Sequence, residues 1–152
     1  MQSCDAIKYA IRLLAKRDMS TWEISQKLKS KGYLSDTIQN TLSILIDEKY
    51  LNDLTLAERK LQALMFSGKY GCKFITTKLR QQYGFSESII VTVLPILNNY
   101  NEKDQAYQLV MKKFDGEEIA DTSKISRFLA RRGFSSASIY YVLDQITQLD
   151  TN

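Results

Sequence analysis

The side chains best suited to chemistry in this chain of 152 residues are cationic, 21 Lys and Arg against 17 Asp and Glu, and histidine is absent. Without imidazole, proton transfer near neutral pH would fall to carboxylates or lysine. The chain holds no Gly-rich phosphate loop, no nucleophile elbow and no paired-carboxylate signature to accompany them. Cys4 and Cys72 are the only cysteines. Far apart and without histidine, they cannot assemble the roughly four ligands of a zinc site. A structural disulfide is not expected in a reducing cytoplasm, so both read as inert thiols. The chain therefore reads as a binding protein and not an enzyme, with no cofactor and no metal.

The cations are unevenly spread. From Arg59 to Gly84 there are Arg59, Lys60, Lys69, Lys73, Lys78 and Arg80 without one acidic residue, and from Thr122 to Leu143 there are Lys124, Arg127, Arg131 and Arg132, again without one. At helical spacing Lys124, Arg127 and Arg131 share a face opposite Ile125 and Leu129. Lys73 and Arg80 share another, opposite Ile75 and Leu79, and Lys27 and Lys31 lie one turn apart beside Leu28. A basic stripe beside an apolar one can meet phosphates or an acidic protein groove. It can also be no more than the solvated face every surface helix needs. Arg80, Arg127 and Arg131 rank above the lysines because guanidinium grips carboxylate or phosphate with two bonds. Lys69, Lys73, Lys78, Lys124, Lys27, Lys31 and Arg132 complete the candidate contact set.

These residues must be held by helices, and a repeat shows how. Three segments place an aromatic after glycine, an isoleucine six after it and a leucine ten after it: Gly32-Tyr33, Ile38 and Leu42; Gly84-Phe85, Ile90 and Leu94; Gly133-Phe134, Ile139 and Leu143. Glycine fits the left-handed position that ends a helix. The ring behind it can fold back onto that helix, and Ser35, Ser86 and Ser135 are placed to cap the next one. One more helix precedes each pair. The first runs near Asp5–Arg17 on Ile7, Ala10, Ile11 and Leu14, and Ser20-Thr21-Trp22-Glu23 then reads as a capping box. Asp53 or Thr55 opens the corresponding helix of the second repeat, and Asn101 or Asp104 that of the third. Pro95 ends or kinks the sixth helix. Tyr140 and Tyr141 are adjacent on a helix and cannot both face the core, so one is expected outside.

The expected fold is all-α, three tandem three-helix repeats at 1–52, 53–99 and 100–152 that form an elongated, curved array. The composition, with 44% apolar and 25% charged residues, is that of an ordinary globular chain. No apolar run reaches the roughly 18 residues of a membrane span, and Met1-Gln2-Ser3-Cys4-Asp5 lacks the basic start of a secretory signal. A cytoplasmic monomer without membrane contact is expected.

The order of segments resembles the RecX family of RecA recombinase regulators. The resemblance is carried by the run Tyr9-Ala10-Ile11-Arg12-Leu13-Leu14-Ala15-Lys16-Arg17-Asp18-Met19-Ser20, by Glu23-Ile24, and by Lys27-Leu28-Lys29-Ser30-Lys31-Gly32-Tyr33. Tyr50-Leu51-Asn52-Asp53 with Ala57 and the closing run Arg127-Phe128-Leu129-Ala130-Arg131-Arg132-Gly133-Phe134-Ser135 extend it, so that it spans Ala6 to Leu143. The middle departs from the family. Where a Gly-x-Gly-Pro turn is usual, Lys69 and Cys72 flank Tyr70-Gly71, and one extra residue lies between Leu79 and Gly84. The resemblance implies a regulatory protein that binds RecA in its active filament on single-stranded DNA and modulates, most often inhibits, it. It also implies a place in recombinational DNA repair and the SOS response.

Two other binding functions fit the residues: a helix-turn-helix-like DNA-binding protein and a generic helical-repeat adaptor. Single-stranded or duplex DNA stays open as a ligand in its own right. Base reading in the major groove asks for a basic recognition helix, yet Ser35–Glu48 and Ser135–Gln148 contain no Lys or Arg.

Overall fold

The computed structural model describes residues 2–152. It is built of α1 (Gln2–Lys16), α2 (Thr21–Ser30), α3 (Ser35–Asp47), α4 (Asp53–Ser67), α5 (Cys72–Gln81), α6 (Glu87–Val93), α7 (Glu102–Lys113), α8 (Thr122–Arg131) and α9 (Ser136–Asp150). Two 3-10 turns, Leu94–Asn99 and Gly116–Ala120, join these helices, and no strand occurs among the described residues. Among the described residues, no helix is long and apolar enough to cross a membrane. The helix stops at Val93 and tightens into the first 3-10 turn because Pro95 lacks the amide hydrogen an α-helix would use.

The chain divides into two compact units. One takes in the chain to Lys60 and Leu79–Val93, and the other Leu61–Lys78 and Leu94–Asn152. In the first unit α1 packs on α2 and α3, and Ala6, Ala10, Ile24, Leu28 and Leu45 lose all contact with solvent. In the second, α9 packs on α7 and α8, around Ala106, Val110, Ile125, Leu129 and Val142, all fully buried. The alanines on α1 and α7 let the partner helices approach closely.

The three Gly-aromatic turns form as expected. Gly32, Gly84 and Gly133 have φ of 97°, 63° and 79°. The amides behind them reach back to the finished helix: Tyr33 N donates to Leu28 O at 3.2 Å, Phe85 N to Leu79 O at 3.2 Å and Phe134 N to Leu129 O at 3.1 Å. The bond spans six residues in the middle repeat and five in the others, so the extra residue is absorbed inside the turn.

The capping serines hold at two of three turns. Ser135 Oγ accepts from Ser138 N at 3.2 Å and Ser86 Oγ from Ile89 N at 3.3 Å. Ser35 does not cap: it lies inside α3, and the N-cap is Leu34, whose side chain accepts nothing. The register set by the glycine puts the cap two residues behind it, where the first repeat has leucine. Leu34 is 67% exposed, so Leu34→Ser should raise stability by about 1 kcal/mol. A thermal melt of the whole chain checks it, and an unchanged or lower transition would show that Leu34 packs better than it caps.

One junction occurs twice, and in both places it ties the start of a middle helix to the glycine turn of the following repeat. In the first unit Ser20, the buried cap of α2, forms the full capping box with Glu23. Its hydroxyl also donates to the carbonyl of Tyr83, beside Gly84. The Trp22 ring lies so close over Gly84 that a Cβ there would stand 2.3 Å from Trp22 Cδ2. Asp53, opening α4, accepts from Thr21 N at 2.8 Å. In the second unit Gly71 N donates to the carbonyl of Arg132, beside Gly133, at 2.9 Å. The backbone and Cβ of Phe74 press on Gly133 where the Trp22 ring presses on Gly84. Glu102, opening α7, accepts from Cys72 N at 2.8 Å. An acidic residue at the start of each new repeat thus satisfies an orphan amide of the preceding middle helix.

Candidate partner-binding face

The basic residues singled out in the sequence have unequal freedom. In the first unit, Lys27 and Lys31 are exposed, and Lys31 Nζ lies 5.5 Å from the Tyr9 ring centre. Arg80 is exposed but committed: its Nε donates to Glu87 Oε1 at 2.5 Å and its Nη2 to Oε2 at 3.2 Å. That grip holds the Glu87 carboxyl below its usual range. The segment around Arg80 is acid-free in sequence, yet its partner comes from the next helix.

In the second unit Tyr70 and Phe74 stack with ring centres 4.3 Å apart and an interplanar angle of 9°. Lys78 Nζ stands 5.9 Å from each of these rings. The Arg132 guanidinium lies 5.6 Å from Tyr70 and 5.4 Å from Phe128. Lys78 and Arg132 are half-buried, and their contacts with the ring faces give them a packing role beside Gly71 and Gly133. Lys124 is exposed and paired with Glu118 at 3.3 Å. Lys69, Lys73, Arg127 and Arg131 are exposed and take part in no ion pair or cation–ring contact among the described residues.

Arg127 and Arg131 belong to α8, which owes its orientation to Ile125 and Leu129, both fully buried. Asp121 caps its start by accepting from Lys124 N at 3.1 Å. Between α8 and α9 lies an open groove of about 320 Å³, lined by Arg127, Ala130, Ile139, Tyr140 and Leu143 among others. Tyr140 is 72% exposed and Tyr141 37%, so neither ring is taken into the core and the expectation of one exposed tyrosine understates the surface. The groove exists because α9 buries Ser138, Val142 and Ile146, one register behind Ile139 and Leu143, which stay half-covered.

Sequence reasoning about charge missed these apolar residues. The available signal was that α9 carries more large apolar side chains than one buried stripe can use. Chemically, the face offers an apolar groove edged by the Arg127 guanidinium, with Arg131 one turn further along α8. It suits a partner segment that brings an apolar anchor together with carboxylates.

Cys4 is exposed and Cys72 half-buried. Burial first, and then the Glu102 carboxylate, push the Cys72 thiol up to about 11, so it stays protonated at neutral pH and a poor nucleophile.

Residues 6–45 match the protein family described as RecX, first three-helix domain. The chain is 35% identical over 147 residues to the regulatory protein RecX of Chlorobium phaeobacteroides, covering 93% of each chain. It is 32% identical over 151 residues to that of Vibrio vulnificus, covering 94% of this chain and 92% of the other. Its fold is similar to the crystal structure of RecX from Lactobacillus salivarius, with a TM-score of 0.79, 22% identity and 97% of both chains covered.

Proposed function

The chain belongs to the RecX family of regulatory proteins, and we propose that it binds an active RecA filament on single-stranded DNA and lowers its activity through the α8–α9 face. The observation that carries the choice of face is the pair Arg127 and Arg131. Both are exposed and in no ion pair among the described residues, and Arg127 lines a groove together with Ile139 and Leu143. The apolar floor favours a protein surface as the first contact, because a phosphate backbone would leave Ile139, Leu143 and Tyr140 uncovered. We read the repeats at 1–52, 53–99 and 100–152 as modules that extend this contact along more than one recombinase subunit. A base-reading function is disfavoured, since neither α3 nor α9 carries a lysine or arginine.

The relatives are named regulatory proteins, and an inhibitory role needs binding alone. A partner held by charge-assisted contacts changes the filament's equilibrium only by the difference in its affinity for the active and inactive states. The test is ATP hydrolysis by the cognate recombinase on single-stranded DNA with this protein titrated in. A dose-dependent fall that saturates with filament binding supports the proposal. Unchanged hydrolysis together with no binding to the assembled filament contradicts it.

A further inference from the structure

Phe66 is 94% exposed, more than any other large apolar side chain among the described residues. It stands on the last turn of α4, at a cleft of about 280 Å³ whose other walls include Lys69, Gln105, Gln108 and Lys112. None of the lining residues is acidic. Lys69 and Lys112 are exposed and in no ion pair among the described residues. The glutamines are held in place. A Cβ on Gly68 would meet Gln105 Oε1 at 2.6 Å, so the amide is seated against the turn. Gln108 Nε2 donates to Asp104 at 3.1 Å, which leaves its carbonyl to accept.

We propose that this cleft binds a nucleotide of a single-stranded nucleic acid, with Phe66 as the stacking face for the base and Lys69 and Lys112 as the phosphate contacts. A single exposed phenylalanine needs no explanation by itself. This one is surrounded by three chemistries that one ligand satisfies together: a flat apolar face, amide groups suited to a base edge, and uncommitted ammonium groups. An apolar protein segment laid over Phe66 would instead bury two ammonium groups and two amides without partners, which is costly. The cleft shares no residue with the α8–α9 groove, and the inference concerns free nucleic acid, so it goes beyond the recombinase reading and is testable without the recombinase.

The experiment is the fluorescence anisotropy of a labelled oligothymidylate over a series of salt concentrations, with the complete chain and three variants. Phe66→Ala should weaken binding by between about 5-fold and about 150-fold, the range of one lost base stack, with the slope of log K against log salt unchanged. Phe66→Trp should keep wild-type affinity. Lys69→Gln with Lys112→Gln should flatten the salt slope by about 1.4, for two lost phosphate contacts on a single strand.

Because Phe66 packs on almost nothing, the variants should melt with the wild type, and the melt is recorded alongside. Wild-type protein that fails to bind the oligonucleotide, or Phe66→Ala that binds it as tightly as wild type, overturns the proposal. If Phe66→Ala spares the oligonucleotide but loses binding to the recombinase filament, the cleft is a protein contact and the proposal is likewise overturned. Wild-type inhibition of the filament, read separately, tells failure of this site from failure of the proposed recombinase function.

Discussion

Gly133→Ala should destabilise the protein by more than about 4 kcal/mol, while Gly32→Ala at the equivalent turn of the first repeat should cost about 1 kcal/mol. Both glycines sit at positive φ, 79° and 97°, so both substitutions carry the same backbone penalty. They differ in what a side chain would meet. At Gly32 there is nothing within 4 Å, whereas at Gly133 a Cβ would stand 2.4 Å from the Phe74 amide nitrogen and 2.8 Å from its Cα. Backbone cannot step aside as a flexible side chain can. The two segments would have to separate, breaking the bond from Gly71 N to Arg132 O and disturbing the stacked Tyr70 and Phe74 beside it. Gly71 faces the same crossing from the other side, where a Cβ would be 2.2 Å from the Gly133 carbonyl oxygen. Denaturant unfolding of the two variants checks this. Equal losses would mean that the turn conformation, and not the close approach, sets the requirement for glycine.

Glu102→Ala should cost about 3 kcal/mol, because one carboxylate accepts from three donors at the starts of two other helices. It accepts from Cys72 N at the start of α5 at 2.8 Å, and from Ser135 Oγ and Ser138 Oγ at the start of α9 at 2.7 Å and 2.5 Å. Ser138 is 1% exposed, so its hydroxyl would have no water to turn to. Burial raises the Glu102 carboxyl, but the bonds from Ser138, Ser135 and the Cys72 amide outweigh it and leave the group below its ordinary value of 4.5. A carboxyl that is more acidic folded than unfolded stabilises the fold above its unfolded pKa. That contribution fades as pH falls below about 4.5 and through the folded pKa. Glu102→Gln should therefore be less stable than wild type at neutral pH and lose less on acidification. Parallel acid-unfolding curves would show that the carboxylate charge contributes nothing.

Local rules explain why most of the helical framework is legible in the sequence. A helix that ends on Gly-aromatic, or begins on Ser20-x-x-Glu23, is decided within a few residues, and the structure follows those signals. Leu34 shows the limit of the same reasoning: a serine one residue later looked like the cap, but the register belongs to the glycine. Contacts between distant segments left weaker traces. Nothing local marks Gly71 as the point where a helix start meets the Gly133 turn, or Glu102 as the clasp of two other helix starts, because their partners are 30 or more residues away. The basic faces were visible as acid-free runs. Their freedom was not, since Glu87 and Glu118 lie on neighbouring segments and take up Arg80 and Lys124. The apolar groove was hidden for a related reason, as which of α9's apolar residues are buried depends on the register of α9 against α7 and α8.

The most direct measurement of the central proposal is the filament titration run with wild type beside the double variant Arg127→Glu, Arg131→Glu. Reversing two exposed charges should leave the melting transition in place. Wild type should suppress ATP hydrolysis by the recombinase on single-stranded DNA, and the double variant should need at least about tenfold more protein for the same suppression, a loss of about 1.4 kcal/mol in binding. A double variant as potent as wild type would remove the α8–α9 face from the contact, and a wild-type protein that neither binds the filament nor slows hydrolysis would contradict the proposed function itself.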